Sequence, residues 1–200
     1  GDPMKIAVFA SGNGSNVQAL LDNIQSGELL VEIACLITDR PKAFVVKRAQ
    51  AANIPVYAAT LKAFESREAW EEAVVAYLEP YTVDYIVLAG FMRILKKPLL
   101  SAYPNRIINI HPSYLPAFPG KNGIKDAYEA GVSETGVTVF YVDEGIDTGK
   151  MIAQEKIAID PEWTIAHLAY AVHAVEHRLY TQVLQKKKKE FSGKEEINDI

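Results

Sequence analysis

The sequence predicts an α/β fold, a doubly wound and mostly parallel sheet with an antiparallel pair near its C-terminal part. Three observations carry that prediction. From Met4 onward, short apolar runs alternate with segments whose apolar residues recur at helical spacing. The runs 85–89 and 107–110 are apolar on both faces, as central strands covered by helices on two sides must be. After Gly131 two extended segments, 136–142 and 151–159, are joined by the short stretch 143–150, which fits an antiparallel pair added to the sheet.

In chain order, the strand 5–10 runs into a glycine-rich turn, and Val17, Leu20, Leu21 and Ile24 then mark one face of a helix ending at Gly27. A second strand at 31–38, a helix at 43–52, a short strand at 55–58 and a helix at 66–78 complete the first half. One long helix, 164–185, closes the fold. Repeated strand-helix-strand units with right-handed crossovers place ligands at the carboxyl ends of the strands, and every motif below is expected at such an end.

Two hundred residues with 49% hydrophobic and 23% charged content can bury one substantial core without metals or disulfides, so a single domain over 4–185 is expected. Residues 1–3 read as a remnant ahead of a natural start at Met4, and 186–200 as a polar tail beginning with the lysines 186–189. A net charge of −4 gives no general attraction to nucleic acid or to an anionic membrane, so any phosphate must be held by a local device. No apolar stretch reaches the length of a membrane span, and a cytoplasmic protein is expected. Cys35, the lone cysteine, lies in an apolar run as a small core hydrophobe, which excludes a disulfide within the chain.

The turn Ser11-Gly12-Asn13-Gly14-Ser15-Asn16 joins the first strand to the first helix, where glycines let backbone amides converge and the helix dipole favours an anion. A dinucleotide fingerprint would need a third glycine where Val17 stands, although Asp39 ends the second strand at a suitable distance. A ligand-free tight turn with Ser15 or Asn16 capping the helix is the plainer alternative.

Asn109-Ile110-His111-Pro112 closes an apolar strand, and alternation places Asn109 and His111 on one side with Ile110 opposite. Pro112, Pro116 and Pro119 restrict the exit loop, so an amide donor and an imidazole are held with little freedom. Rigid donors suit acyl transfer, in which negative charge grows on a carbonyl oxygen and a preorganised donor contributes about 3 kcal/mol. A protonated His111 could deliver a proton to a departing nitrogen, given a carboxylate to hold its charge. The loop Asp143-Glu144-Gly145-Ile146-Asp147-Thr148-Gly149 offers three. The plainer alternative is a satisfied histidine at a turn beside a solvated acidic hairpin.

Taken together, Ser-Gly-Asn-Gly-Ser-Asn, Leu88-Ala-Gly-Phe-Met-Arg-Ile-Leu95, Asn109-Ile-His-Pro-Ser-Tyr-Leu-Pro116 and Asp143-Glu-Gly-Ile-Asp-Thr-Gly149 resemble, in this order, the glycinamide ribonucleotide formyltransferase family over roughly 4–185. The resemblance implies that Gly14, Ser15 and Asn16 hold the phosphate of phosphoribosylglycinamide and that Glu176 binds its ribose hydroxyls. It implies that Met92, Arg93, Ile94 and Leu95, with Asn109, line the pocket of a 10-formyltetrahydrofolate cosubstrate, and that Arg67 meets the folate's carboxylate tail. It puts Asn109, His111 and Asp147 on catalytic positions, with Asp147 keeping the imidazole charged. It also implies small-molecule substrates only, no metal, and a monomer or homodimer. The region 121–126 departs from the histidine-bearing loop of some members.

Two relatives share the formyl-folate fold. Methionyl-tRNA formyltransferase carries a further carboxyl-terminal domain and lacks the Asn-Gly-Ser-Asn turn. Formyltetrahydrofolate deformylase has an additional amino-terminal domain and a second histidine where Pro112 stands. Both departures favour the nucleotide substrate. A non-catalytic nucleotide-binding module is the rival from another class, and it has no use for Asn109 with His111. His173-Ala-Val-Glu176-His177 matches a zinc-peptidase spacing but lacks a third ligand downstream, so these histidines are expected to be structural or at the surface.

Overall fold

A computed structural model describes residues 3–145 and 147–198, the side chains of 194–198 excepted. Its centre is a seven-stranded sheet of β1 (Met4–Phe9), β2 (Val31–Thr38), β3 (Val56–Ala58), β4 (Tyr85–Leu88), β5 (Ile107–His111), β6 (Glu134–Tyr141) and β7 (Met151–Ala158), in the order β3-β2-β1-β4-β5-β6-β7. Neighbours from β3 to β5 are parallel, and β5–β6 and β6–β7 are antiparallel. The predicted class and its antiparallel addition are both present.

Alternation along β1 divides the core. Ile6 and Val8 face α1 (Ser15–Gln25), α2 (Phe44–Ala51) and α6 (Ile165–Asn198), while Ala7 and Phe9 face α3 (Arg67–Leu78) and α4 (Lys97–Ala102). The first face buries Val17, Leu20, Val45, Leu168, Val172 and Leu184 with Tyr180, whose hydroxyl donates to the carbonyls of Leu88 (2.7 Å) and Ile108 (3.1 Å). The second buries Trp70, Val74, Leu78 and Leu99. Each such side chain contributes about 1.5–3 kcal/mol of transfer free energy, enough to hold both helical layers on the sheet.

The structure departs from the sequence expectations in four places. First, α6 does not stop near Gln185 but continues to Asn198. The lysine run is not simply solvated: the Lys187 ammonium lies 5.1 Å above the Tyr141 ring, and Phe191 packs against the core. An amphipathic stem laid along an aromatic surface favours continuing the helix. Of the expected tail only residues 199 and 200, and of the expected remnant residues 1 and 2, lie outside the described residues. Second, α4 and α5 (Gly123–Ala130) are short helices without a long periodic signal. The amino end of α4 is satisfied from a distance, because buried Glu71 on α3 accepts from the amides of Lys96 (2.6 Å) and Leu99 (3.0 Å).

Third, the N-cap of α1 is Gly14, at φ 84°, rather than Ser15 or Asn16, and no side chain caps it. Fourth, the acidic loop follows the carboxyl end of β6, but because β6 is antiparallel this is not the sheet edge where the parallel strands have their carboxyl ends. Antiparallel register pairs His111 with Thr138 and Ile108 with Tyr141, and the Val142 amide donates to the Ile107 carbonyl at 2.8 Å, so the chain leaves β6 at the amino end of β5. The loop must fold back to bring Asp147 to His111.

Candidate active site

Asn109 and His111 project from the last turns of the pleat in β5, as alternation requires. The Asn109 Oδ1 accepts from the amide of Ile110 at 2.8 Å, which fixes the carboxamide and leaves its NH₂ end as the donor. His111 is buried at 5% exposure, with Nδ1 3.5 Å from Asp147 Oδ2 and Nε2 2.7 Å from the Phe118 carbonyl. Both ring nitrogens thus face oxygen acceptors, an arrangement in which an imidazolium can donate twice. Asp147 is fixed in turn by the Gly120 amide, which donates to Oδ2 at 2.9 Å, and its backbone is left-handed at φ 55°. The structure therefore brings Asp147 to His111, although the acid arrives from the opposite end of the strand, and alternation places Asn109 on the same side of β5 as His111.

The exit loop after β5 is anchored by residues that carried no sequence signal. Thr138 Oγ1 donates to the Ser113 carbonyl (2.8 Å) and accepts from the Leu115 amide (3.0 Å), and Gln154 donates to the Leu115 carbonyl (2.7 Å). Both sit on the antiparallel pair, which explains that pair's place beside β5. Gly123 passes so close to the imidazole that an added Cβ would lie 3.1 Å from His111 Nε2.

At the glycine-rich turn the backbone does most of the work. A Cβ on Gly14 would sit 2.5 Å from Val45 Cγ2, so this glycine is required both by its φ and by the approach of α2. The first amides of α1 have no acceptor within the helix and open on the turn. Arg48, unforeseen from sequence, braces the turn from behind: Nε donates to the Asn13 carbonyl (2.8 Å) and Nη2 to its side-chain Oδ1 (2.7 Å). Asn16 Nδ2 donates to Glu176 Oε2 at 3.2 Å, and His173 Nδ1 lies 2.8 Å from Glu176 Oε1, so the buried carboxylate is held on both oxygens. That pairing pushes His173 upward, whereas burial pushes His177 downward. Among the described residues no group of three or more His, Cys, Asp or Glu is arranged to hold a metal ion. Nor is any helix among them long and apolar enough to cross a membrane.

Between these two regions runs the segment 91–96. Met92 and Ile94 are exposed and Arg93 is partly so, whereas Leu95 is 3% exposed and belongs to the core against α3 and α4. Arg67 Nη1 donates to the Ile94 carbonyl at 3.1 Å, which brings Arg67 to the stretch with which the resemblance groups it.

A family model described as formyl transferase matches residues 4–184. The chain belongs to the formyl transferase family. A curated phosphoribosylglycinamide formyltransferase of Bacillus subtilis is 45% identical over 181 residues, covering 90% of this chain and 93% of that protein. Among solved structures, the phosphoribosylglycinamide formyltransferase of Bacillus halodurans is 49% identical with a TM-score of 0.88, over 91% of this chain and 94% of that one. Glycinamide ribonucleotide transformylase 1 of Geobacillus kaustophilus is 48% identical with a TM-score of 0.90, over 93% and 99%. In this formyl transferase the candidate residues legible in the sequence all lie in contiguous motifs. Arg48, Thr138 and Gln154 act from separate elements, and only the tertiary fold brings them in.

Proposed function

We propose that this formyl transferase moves the formyl group of 10-formyltetrahydrofolate to the glycinamide amine of 5'-phosphoribosylglycinamide, a step of de novo purine biosynthesis in the cytoplasm. Membership of the family supports a folate formyl donor, and the similarity to phosphoribosylglycinamide formyltransferases supports the nucleotide acceptor. The observation that carries the reading is the approach of a carboxylate to a buried imidazole, Asp147 Oδ2 lying 3.5 Å from His111 Nδ1, on a strand that also carries the fixed amide of Asn109 two residues away.

In this reading the substrate amine attacks the formyl carbon directly. A carbon–nitrogen bond forms, and the carbonyl pair moves onto oxygen, where Asn109 Nδ2 donates to the developing charge. Collapse of the tetrahedral intermediate restores the carbonyl and breaks the bond to the folate nitrogen. That nitrogen takes a proton from His111, and the surplus proton of the attacking amine passes back to the imidazole, directly or through solvent, which restores the charged ring and leaves the overall charge unchanged. Asp147 stabilises the charged ring before transfer. Because Nε2 faces Phe118 in this state, the folate nitrogen must take the place of that carbonyl oxygen.

Gly14, Ser15 and Asn16 bind the substrate phosphate through helix amides, and Glu176 accepts from ribose hydroxyls. Arg67, Met92, Arg93, Ile94 and Leu95, together with Asn109, form the folate side. The expected assay result is release of deformylated folate from a 10-formyl folate analogue only when phosphoribosylglycinamide is present. Release with water alone would mark a deformylase, and no release with either acceptor would leave a binding module.

A further inference from the structure

Asp39 has no part in the chemistry above, yet its side chain is fully buried while carrying a carboxylate. A buried carboxylate is costly unless each oxygen is paired, and here both are. Oδ1 accepts from Ser11 Oγ at 2.7 Å, and Oδ2 accepts from Arg93 Nε at 2.9 Å. Ser11 Oγ in turn accepts from the amide of Met92 at 2.9 Å, and the Ser11 amide donates to the Gly90 carbonyl at 3.1 Å. The result is a closed circuit: the first residue of the glycine-rich turn, the end of β2, and the segment that begins at Gly90. It leaves the Arg93 side chain 37% exposed, with its stem tied down at Nε. In a dinucleotide fold a carboxylate at this strand end meets a ribose, but this one is consumed internally by protein donors.

We propose that Asp39 is a positioning residue for folate binding: it fixes the Arg93 side chain and, through Ser11, the Met92 backbone, so that the folate-side segment is set against the nucleotide turn. The proposal rests on the assignment of 92–95 to the folate side. Asp39→Asn is the sharpest probe. If its Oδ1 still accepts from Ser11, its NH₂ faces the Arg93 Nε–H, donor against donor; if the amide flips to give Arg93 an oxygen, the Ser11 hydroxyl loses its acceptor instead, so one of the two ties is lost in either orientation. Trp70 stacks on Phe91 with ring centroids 5.9 Å apart, so a ligand that shifts this segment is expected to change the Trp70 part of the emission without any turnover, Trp163 lying apart against His167.

The experiment measures Kd for tetrahydrofolate by fluorescence, and KM for both substrates where turnover occurs, in wild type, D39N, R93A and D39N/R93A, with circular dichroism and thermal melts as folding controls. The expected result is a folate Kd and KM raised about tenfold in D39N, with nucleotide KM and kcat changed less than about twofold, and a clearly smaller further loss when D39N is added to R93A than when it is added to wild type. A folate Kd within about twofold of wild type in D39N overturns the proposal, as does an undiminished D39N effect in the R93A background. Should D39N fail to fold, Ser11→Ala is the second variant. It removes the acceptor for the Met92 amide without adding a donor, and unchanged folate binding there also overturns the proposal. Failure of the functional reading looks different, with wild type that binds tetrahydrofolate but transfers no formyl group, or binds none at all.

Discussion

Around His111 almost every polar atom is already engaged before a substrate arrives. The imidazole is held at both nitrogens, Asp147 by a backbone amide, and the Asn109 carboxamide by the neighbouring Ile110 amide, which leaves one NH₂ group to spend. At the glycine-rich turn the situation is reversed. Gly14 caps the helix without a side chain, the helix amides point outward, and bracing comes from behind through Arg48. The first region is built of side chains whose positions are over-determined, the second of backbone whose groups are left open. Transition-state charge needs donors that cannot relax, whereas an anion can be bound by amides that only converge. Substitutions in the two regions should therefore fail differently, the first in rate and the second in affinity and stability.

The largest expected effect is at Asp147. Asn retains an oxygen for the Gly120 amide and tolerates the left-handed φ of 55°, so Asp147→Asn should keep the fold while leaving the imidazole without a charge partner. A fall in kcat of about 10³-fold is expected, with KM for either substrate changed less than about threefold. Wild-type kcat in a folded D147N protein would remove Asp147 from the chemistry. Next comes Asn109→Ala, with kcat down about 10²-fold and nucleotide binding nearly intact, because the donor acts mainly in the transition state. Asn109→Asp sharpens the test. It keeps an oxygen for Ile110 but replaces the donor with an acceptor, and it should be at least as inactive as the alanine variant. An effect confined to KM would count against the oxyanion role.

On the other side of the comparison, Gly14→Ala should fail in stability first. Its Cβ would lie 2.5 Å from Val45 Cγ2 and 2.7 Å from Val45 Cβ, at a φ of 84° that alanine adopts at a cost. Strain and overpacking together should cost about 2–4 kcal/mol, read as a lowered Tm, with KM for phosphoribosylglycinamide raised in whatever folds. Adding Val45→Ala relieves the clash but not the φ penalty, so partial recovery of Tm is expected. Full recovery would mean that backbone conformation is not what selects glycine here.

This contrast also explains what could be read from the sequence. The strands were legible because β4 and β5 are continuous apolar runs, and the Asn-x-His spacing was legible because period-two alternation is a local property. The glycine-rich turn announced itself by composition. What could not be read is contributed across the chain. Glu71 caps α4 from α3, Thr138 and Gln154 tie down the loop after β5, and Lys187 carries α6 onward by lying over Tyr141. The path of the acidic loop is hidden from the sequence for the same reason. Its residues were identified, but only the β5–β6 register shows that it starts at the amino end of β5 and must double back.

The smallest expected effect concerns Glu176, a side chain held on both oxygens at the nucleotide end. His173 titrates above its usual range because Glu176 bonds its Nδ1, and His177 titrates below because burial opposes its charge. For His173 the folded value exceeds the unfolded one, so the pairing stabilises fully below the ordinary histidine range and is lost as pH rises through the elevated value. For His177 the sign is opposite, its contribution being present above the ordinary range and lost as pH falls. Glu176 raises both histidines, so Glu176→Gln should lower both midpoints in an NMR titration, His173 by more. The effect on stability should be small because His173 is 49% exposed and screened by solvent. An unchanged His173 midpoint would show that the carboxylate is not held from that side. Asn16 would then be its remaining tether, and the nucleotide end would be looser still than the region around His111.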